Sequence, residues 1–101
     1  VFDARCLPNP HWQPALRHLT GRDGDVADYL EQQTLVLEYR QQLEHFLTDW
    51  IPRFQADNRS YLSVAIGCTG GQHRSVYLVE KLAGELGDRL CNRVTRHREL
   101  E

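Results

Sequence analysis

A glycine-rich segment directly after a hydrophobic run constrains the fold of this chain most. Residues 61–66 have the length and β-branched content of a buried strand, and they run into Gly67-Cys68-Thr69-Gly70-Gly71. Apolar residues then repeat at helical spacing until Gly87, a natural helix C-cap: Val76, Leu78, Val79, Leu82, Ala83 and Leu86. A strand that passes through a sharp turn into a helix is typical of α/β folds, which bind ligands at such turns.

The other elements predict an α/β fold, a small sandwich with a mostly parallel sheet. Residues 1–5 read as a short strand, residues 25–32 as a short helix, and residues 35–54 as a long amphipathic helix that Pro52 kinks or ends. Residues 92–97 form a weaker third strand. The glycine-rich loop then joins the central strand of the sheet to the last helix. Three aromatic residues of the long helix are expected in the core: Phe46, Trp50 and Phe54.

Length, hydropathy and cysteine usage limit the class of protein. With 101 residues, 41% of them hydrophobic, the chain has room for a single domain with one core. Its apolar runs are far shorter than the ~20 residues of a membrane-spanning helix, and no signal peptide opens it, so we expect a cytoplasmic protein without a membrane partner.

The cysteines form no C-x-x-C pair and the histidines lack ligand spacing, so we predict no metal site and no cofactor. The absence of methionine favours a fragment of a longer protein.

The turn at residues 67–71 has the features of an anion-binding loop. Gly70 and Gly71 lack the Cβ atoms that keep a ligand from the backbone, and the first N–H groups of the following helix attract negative charge. Neighbouring side chains add hydrogen-bond donors or positive charge: Thr69, His73, Arg74 and Ser75. This combination favours phosphate binding. The alternative is a tight turn whose glycines serve only packing and whose arginine is solvated.

Residues 68–75 also resemble the C-x5-R-S phosphate loop of cysteine-dependent phosphatases. In that interpretation Cys68 is the nucleophile and Arg74 is the phosphate fork. Gly67 stands where that family usually has a histidine. No loop with a general-acid aspartate is evident, which leaves Asp3 at the end of the first strand as the candidate. A phosphohydrolase is therefore the alternative function.

Six blocks of unusual sequence, in order, extend the analysis to nearly the whole chain. They are Phe2-Asp3 with Arg5, Leu7-Pro8-Asn9-Pro10-His11-Trp12, Leu19-Thr20-Gly21, Asn58-Arg59-Ser60-Tyr61-Leu62, Ala65 to Gly71 with His73-Arg74-Ser75-Val76, and Arg96-His97-Arg98 with Leu100-Glu101. Together they resemble the C-terminal domain of the RapZ family of RNase adapter proteins.

The resemblance implies a non-catalytic regulator of amino-sugar synthesis. Such a domain senses glucosamine-6-phosphate, binds a small regulatory RNA and helps present that RNA to an endoribonuclease. The family's full-length proteins also carry an N-terminal P-loop domain and assemble as homo-oligomers. No G-x-x-x-x-G-K-[ST] occurs here, so nucleotide binding is not assigned to residues 1–101.

The resemblance also implies a sugar-phosphate pocket. It places Thr69, Gly70, Gly71, His73 and Arg74 in that pocket, facing His11 from the first loop. In a parallel sheet both loops leave the C-terminal ends of strands, which agrees with this arrangement. Asp3 and Arg5 at the rim hold the amino group or orient Arg74, or else form a structural ion pair. Ser60 matches a pocket-associated position, but it opens the strand whose far end carries the loop, so it reaches the pocket only from another subunit.

A basic stretch near the end of the chain is the candidate RNA contact. Arg93, Arg96 and Arg98 attract an RNA backbone through charge, or they protect an edge strand from aggregation. The net charge of -2 lacks the strongly basic footprint that would demand RNA binding, and the Lys/Arg-rich tail that often follows in the family is missing. A purely oligomerising module, with a structural glycine loop, is the third hypothesis.

Overall fold

The computed structural model describes residues 1–57, 62–87, 95 and 97, and it shows a mixed fold of helices and short strands. The predicted combination of helix and strand is therefore confirmed. In chain order the elements are strand β1 (Phe2–Asp3), the 3-10 turns Pro10–Trp12 and Pro14–Leu16, helices α1 (Gly24–Glu31) and α2 (Thr34–Ala56), strand β2 (Ile66–Gly67) and helix α3 (Arg74–Leu86).

The two strands pair in parallel, as the sequence predicts. Phe2 lies opposite Ile66 and Asp3 opposite Gly67. The ladder continues for one hydrogen bond on each side, from the Phe2 N–H to the Ala65 carbonyl at 2.8 Å and from the Ala4 N–H to the Gly67 carbonyl at 2.7 Å. Since the strands are parallel, the segments after Asp3 and after Gly67 leave the same edge of the sheet.

Strand β2 is much shorter than predicted. Of the buried strand expected at residues 61–66, the described residues 62–65 are not in a strand, and Leu62 and Val64 are exposed. The prediction was wrong because β1 offers only two ladder positions, and no other described segment pairs with residues 62–65. The predicted third strand at residues 92–97 lies outside the described residues except for Thr95 and His97.

All three predicted helices are present, and α2 is longer than expected. Pro52 does not end it, since the helix continues to Ala56. The proline lies on the exposed side, where water can bond the carbonyl that loses its N–H partner. Despite its 23 residues, α2 does not reach the apolarity of a membrane-spanning helix, and no other helix in the described residues does.

The aromatic residues of α2 are not in the core, contrary to the sequence prediction. Phe46, Trp50 and Phe54 are 48%, 41% and 38% exposed. The buried residues of the same helix are Val36, Leu43, Leu47 and Ile51. Phe46 and Trp50 each precede a buried residue by one position, which turns them about 100° away from the core.

The core consists of two adjoining clusters between the helices and the sheet. The first cluster joins the initial segment of the chain to α1 and the beginning of α3: Ala4, Leu7, Leu16, Val26, Leu30, Val36, Tyr77 and Leu78. The second joins α2 to the end of α3: Leu43, Leu47, Ile51, Leu82 and Leu86. Helix α3 contributes to both clusters. The core therefore holds in place the helix to which the preceding loop is attached.

Candidate functional site

The loop at residues 68–73 connects β2 to α3 and carries most of the predicted site. Gly71 has a φ of 66°, the left-handed conformation that glycine adopts without strain. This turn directs the chain into α3, whose first residue is Arg74. Thr69 and Gly70 are exposed, and a Cβ added at Gly70 would meet no atom within 4 Å. The backbone at Gly70 is thus open to approach from outside.

Arg74 lies beneath this loop with only 4% of its surface exposed. Its Nη1 donates to the carbonyl oxygens of Arg5 and Leu7, both at 2.9 Å, and its Nη2 donates to Thr69 Oγ1 at 3.3 Å. Its Nε is buried without a hydrogen-bond partner in the described part of the chain. Among the same residues no carboxylate forms a salt bridge with it. A buried positive charge that forms no salt bridge within the described residues therefore lies under the glycine loop.

Gln72 and His73 bind the loop to the segment after the 3-10 turns. Gln72 Nε2 donates to the carbonyl oxygens of Arg17 and Leu19, both at 2.7 Å. The buried ring of His73 places Nε2 2.9 Å from the Leu16 carbonyl oxygen. The His73 ring is therefore hydrogen-bonded to the segment before α1, at the base of the loop.

Gly21 completes this attachment by close approach to the backbone of the loop and α3. Its N–H donates to the Gln72 carbonyl at 2.9 Å. A Cβ at this position would lie 2.3 Å from the Tyr77 nitrogen and 2.4 Å from the His73 carbonyl oxygen. Only glycine allows the two segments to pack this closely.

His11 lies on the first loop, which shares the carboxyl-end edge of the sheet with residues 68–73. The Asn9 side chain accepts a hydrogen bond from the His11 N–H at 3.1 Å, and Arg17 Nε donates to the His11 carbonyl at 2.8 Å. Because the Arg17 carbonyl also accepts from Gln72, two successive hydrogen bonds link the His11 turn to the glycine loop. Trp12 is exposed, in edge-to-face contact with His11 at 5.8 Å between ring centroids.

Asp3 and Arg5 form an exposed ion pair at the rim. Arg5 Nη2 and Nε donate to Asp3 Oδ2 at 2.8 and 2.9 Å, and the Arg5 N–H donates to Oδ1 at 2.9 Å. These hydrogen bonds from Arg5 lower the pKa of the Asp3 carboxyl. Arg5 also contacts Arg74, but through its main-chain carbonyl. The structure thus contains the ion pair, and it also contains a contact by which Arg5 orients Arg74.

Cys68 lies half-buried at the beginning of α3. Its thiol donates to Ser75 Oγ at 3.3 Å. Burial raises the pKa of the thiol. Once ionised, however, the sulfur accepts hydrogen bonds from the Ser75 hydroxyl and from the Ser75 and Gly71 N–H groups, and these bonds, with the Arg74 charge, outweigh burial and lower the pKa overall. A thiolate is accordingly stabilised here relative to a free cysteine.

The structure brings most of the predicted residues to one edge of the sheet. Thr69, Gly70, Gly71 and Arg74 form the loop and its base, with the segment of Asp3, Arg5 and His11 beside them. Ser60, Arg93, Arg96 and Arg98 lie outside the described residues.

Two residues that hold the loop were not singled out as site residues. Gln72 has no signal in the sequence, because an amide in a polar loop fits many environments. Gly21 did carry one, since it belongs to the recognisable block at residues 19–21, but a glycine reveals a close approach only when its neighbour is known.

Within the described residues no group of His, Cys, Asp and Glu is arranged to hold a metal ion.

Comparison with known proteins gives the chain a context. The family model described as RapZ C-terminal domain matches residues 1–101. A nucleotide-binding protein of Cellvibrio japonicus is 57% identical over 100 residues, covering 99% of this chain and 34% of that protein. A nucleotide-binding protein of Xylella fastidiosa strain 9a5c is 59% identical, covering 100% of this chain and 35% of that protein. A nucleotide-binding protein of Methylococcus capsulatus is 60% identical over 100 residues, covering 99% of this chain and 34% of that protein. The chain spans about a third of the length of these relatives, and none of the three has an enzymatic name.

Proposed function

This chain belongs to the RapZ C-terminal domain family, and we propose that it is a regulatory, metabolite-sensing domain that binds glucosamine-6-phosphate. The observation that carries the proposal is the open backbone at Gly70 above the buried guanidinium of Arg74. An anion that approaches this loop meets N–H groups at the beginning of a 13-residue helix and a positive charge that no carboxylate of the described residues pairs in a salt bridge.

The phosphate group binds above the loop in this proposal. Backbone N–H groups of the loop and the hydroxyl of Thr69 donate to it. Arg74 acts from below, since its Nη2 is bonded to Thr69 and its Nη1 to two carbonyls. Arg74 therefore orients the Thr69 hydroxyl and supplies the charge that attracts the phosphate.

The sugar then extends toward the first loop. The exposed ring of His11 is available to a hydroxyl or a phosphate oxygen, and the Asp3 carboxylate at the rim attracts the amino group. His73 contributes by fixing the base of the loop to Leu16. Ser60 enters the pocket from another subunit of a homo-oligomer in this proposal.

The same membership supports the proposal of an RNase adapter. We propose that Arg93, Arg96 and Arg98 contact the backbone of a small regulatory RNA, which the protein presents to an endoribonuclease in the cytoplasm. The relatives' description as nucleotide-binding proteins refers to chains about three times as long. We assign nucleotide binding to a P-loop domain in that additional length.

Calorimetric titration with glucosamine-6-phosphate tests the sensor proposal, with glucosamine, glucose-6-phosphate and inorganic phosphate as comparisons. We expect saturable binding that needs both the phosphate and the amine. Gly70→Ala places a methyl group where the phosphate approaches and should weaken binding by at least about tenfold, equivalent to ~1.4 kcal/mol. Gly24→Ala is the matched control, because its Cβ also meets no atom within 4 Å and lies at the beginning of α1. Equal affinity of the two variants would contradict phosphate binding at the loop.

A cysteine-dependent phosphatase is the second candidate, and the contact between Cys68 and Ser75 with the lowered thiol pKa favours it. Two features oppose it. The Nη groups of Arg74 are engaged by protein oxygens, and the pKa of Asp3 is lowered, so this carboxyl is ionised at neutral pH and unsuited to act as a general acid. Phosphate released from the titrated sugar phosphate, and lost in Cys68→Ser, would establish the phosphatase instead.

A further inference from the structure

Trp12 is a large aromatic side chain that the fold leaves in water beside His11. It is 72% exposed, more than Phe46, Trp50 or Phe54 on α2. Its ring meets the His11 ring edge-to-face, with the centroids 5.8 Å apart and the planes at 76°. A single exposed apolar side chain is ordinary, but this one contacts a residue of the proposed pocket.

The backbone that carries Trp12 is fixed on both sides of the residue. The Trp12 N–H donates to the Asn9 carbonyl at 3.2 Å, and the Gln13 N–H donates to the Pro10 carbonyl at 2.9 Å. Pro10 itself is fully buried, and its ring fixes a backbone angle within the turn. A ligand that covers the Trp12 ring therefore has little backbone to order, which favours binding.

One guanidinium group joins this first loop to the glycine loop. Arg74 donates from Nη1 to the Leu7 carbonyl at 2.9 Å and from Nη2 to Thr69 Oγ1 at 3.3 Å. The first loop therefore begins next to the hydroxyl that we assign to the phosphate. A sugar that extends from this phosphate toward His11 meets the Trp12 ring as well, because the two rings are in contact.

The chemistry of an indole complements that of a sugar ring. A pyranose has a face of C–H groups that packs on an aromatic face while its hydroxyls stay hydrogen-bonded at the edge. Tryptophan offers a large apolar face together with an N–H that donates to a hydroxyl. Backbone N–H groups and Thr69 recognise a phosphate, which many metabolites carry, so selection of a sugar requires a further contact of this kind.

We propose that Trp12 is a specificity-determining residue of the sugar-phosphate site, and that the pyranose ring of the ligand stacks on its face. This inference rests on the proposed function, because the phosphate at Gly70 brings the ring to Trp12. The stacking selects phosphates that carry a sugar ring over phosphates that have none.

Calorimetric titration with glucosamine-6-phosphate tests the contribution of the ring to affinity. Trp12→Leu keeps an apolar side chain but removes the aromatic face, and it should weaken binding by about tenfold, as the loss of an aromatic contact predicts. Trp12→Phe keeps an aromatic face and should retain most of the affinity. Trp50→Leu is the matched control, because Trp50 is a partly exposed tryptophan on α2, and it should bind like the unaltered protein. Urea unfolding checks that each variant is folded.

Fluorescence of Trp12 reports directly whether the ligand covers the ring. The chain has two tryptophans, so in Trp50→Phe protein all indole emission comes from Trp12. A sugar ring on one of the two indole faces should about halve the rate of quenching by acrylamide. Glycerol 3-phosphate at the same concentration should leave the rate unchanged. In Trp12→Phe protein the emission of Trp50 should respond to neither compound.

Two results would overturn the role of Trp12: equal affinity of Trp12→Leu and the unaltered protein, or unaltered quenching of Trp12 in protein saturated with glucosamine-6-phosphate. If binding is lost in Gly70→Ala but indifferent to Trp12, the sensor function stands and only the stacking fails. If the unaltered protein binds no glucosamine-6-phosphate, or Gly70→Ala binds it as well as Gly24→Ala does, the proposed function fails and the stacking fails with it.

Discussion

Arg74 donates from Nη1 to the main-chain carbonyl of Leu7 at 2.9 Å, across 67 positions of sequence. The same nitrogen also donates to the Arg5 carbonyl. One guanidinium nitrogen can hold two such oxygens at once because Nη1 carries two N–H bonds, which point in different directions within the guanidinium plane. This contact fixes the first loop of the chain against the glycine loop, and it assigns Arg74 a structural role in addition to its charge.

Replacing Arg74 by methionine should destabilise the fold. The carbonyls of Arg5 and Leu7 would lose their shared donor, and we expect a loss of about 3 kcal/mol in the free energy of unfolding, as for hydrogen bonds to a charged group. Urea unfolding measures this loss. Arg53→Met is the control, because Arg53 lies on the exposed part of α2 over the Trp50 ring. A change no larger than that of the control would show that the two carbonyls are satisfied without Arg74.

Gly21→Ala should disturb the packing of the first segment on α3. The new Cβ would lie 2.3 Å from the Tyr77 nitrogen, which belongs to the helix backbone and cannot move alone. We expect a destabilisation of about 3 kcal/mol, at the upper end for overpacking. Gly84→Ala on α3, where a Cβ meets no atom within 4 Å, should instead stabilise by about 0.5–1 kcal/mol. Thermal unfolding of the two variants should shift in opposite directions.

The reactivity of Cys68 toward iodoacetamide should depend on Ser75. In protein with Cys6 and Cys91 replaced by serine, the pH midpoint of alkylation should lie below that of the same thiol in urea-unfolded protein. Burial raises the thiol pKa, whereas hydrogen bonds from the Ser75 hydroxyl and the Ser75 N–H are the largest effects that lower it. The thiol pKa is lowered overall. Ser75→Ala should move the midpoint upward. An unchanged midpoint would mean that the backbone N–H groups and the Arg74 charge suffice to stabilise the thiolate.

Glu80 should contribute a stability that disappears in acid. The hydrogen bond from His97 lowers the pKa of Glu80 below 4.5, partly offset by burial, and Arg22 lowers it further. A carboxyl with a lowered folded-state pKa stabilises the fold fully above the unfolded value and loses this effect as the pH falls through the folded value. The unfolding free energy of Glu80→Gln should therefore depend less on pH below 4.5 than that of the unaltered protein. Identical slopes in urea titrations would contradict the pairing. Asp3, whose pKa is also lowered, titrates in both proteins.

The sequence predicted the elements of this fold better than their burial. Helix periodicity located α1, α2 and α3, and the order of elements predicted the parallel pairing of β1 with β2. The pattern could not decide which stripe of α2 faces the core, because that helix carries more apolar residues than one face can bury. In the structure Leu47 and Ile51 face the core, where they contact α3 or the sheet, and Phe46 and Trp50 are exposed.

The sequence predicted which residues form the candidate site, but it could not predict the contacts among them. Glycines before a helix with an arginine favour phosphate binding, which stays a prediction, while the structure shows that residues 68–73 connect β2 to α3. Apart from the contact of Arg74 with Thr69, the hydrogen bonds described for the side chains of Arg74, Gln72 and His73 go to main-chain carbonyls more than 50 residues away. Every residue has such a carbonyl, so no residue type in the sequence could identify these partners.

The distance in sequence between the two halves of the loop assembly also sets the order of events during synthesis. Residues 5–21 leave the ribosome before α1 and the 23-residue helix α2, and Arg74 and its loop follow only after α2. The carbonyls of Arg5 and Leu7 can accept from Arg74 only after the beginning of α3 has been synthesised. A nascent chain that stops within α2 can therefore form helices but cannot yet assemble the loop contacts, and long-range closure of this kind slows folding.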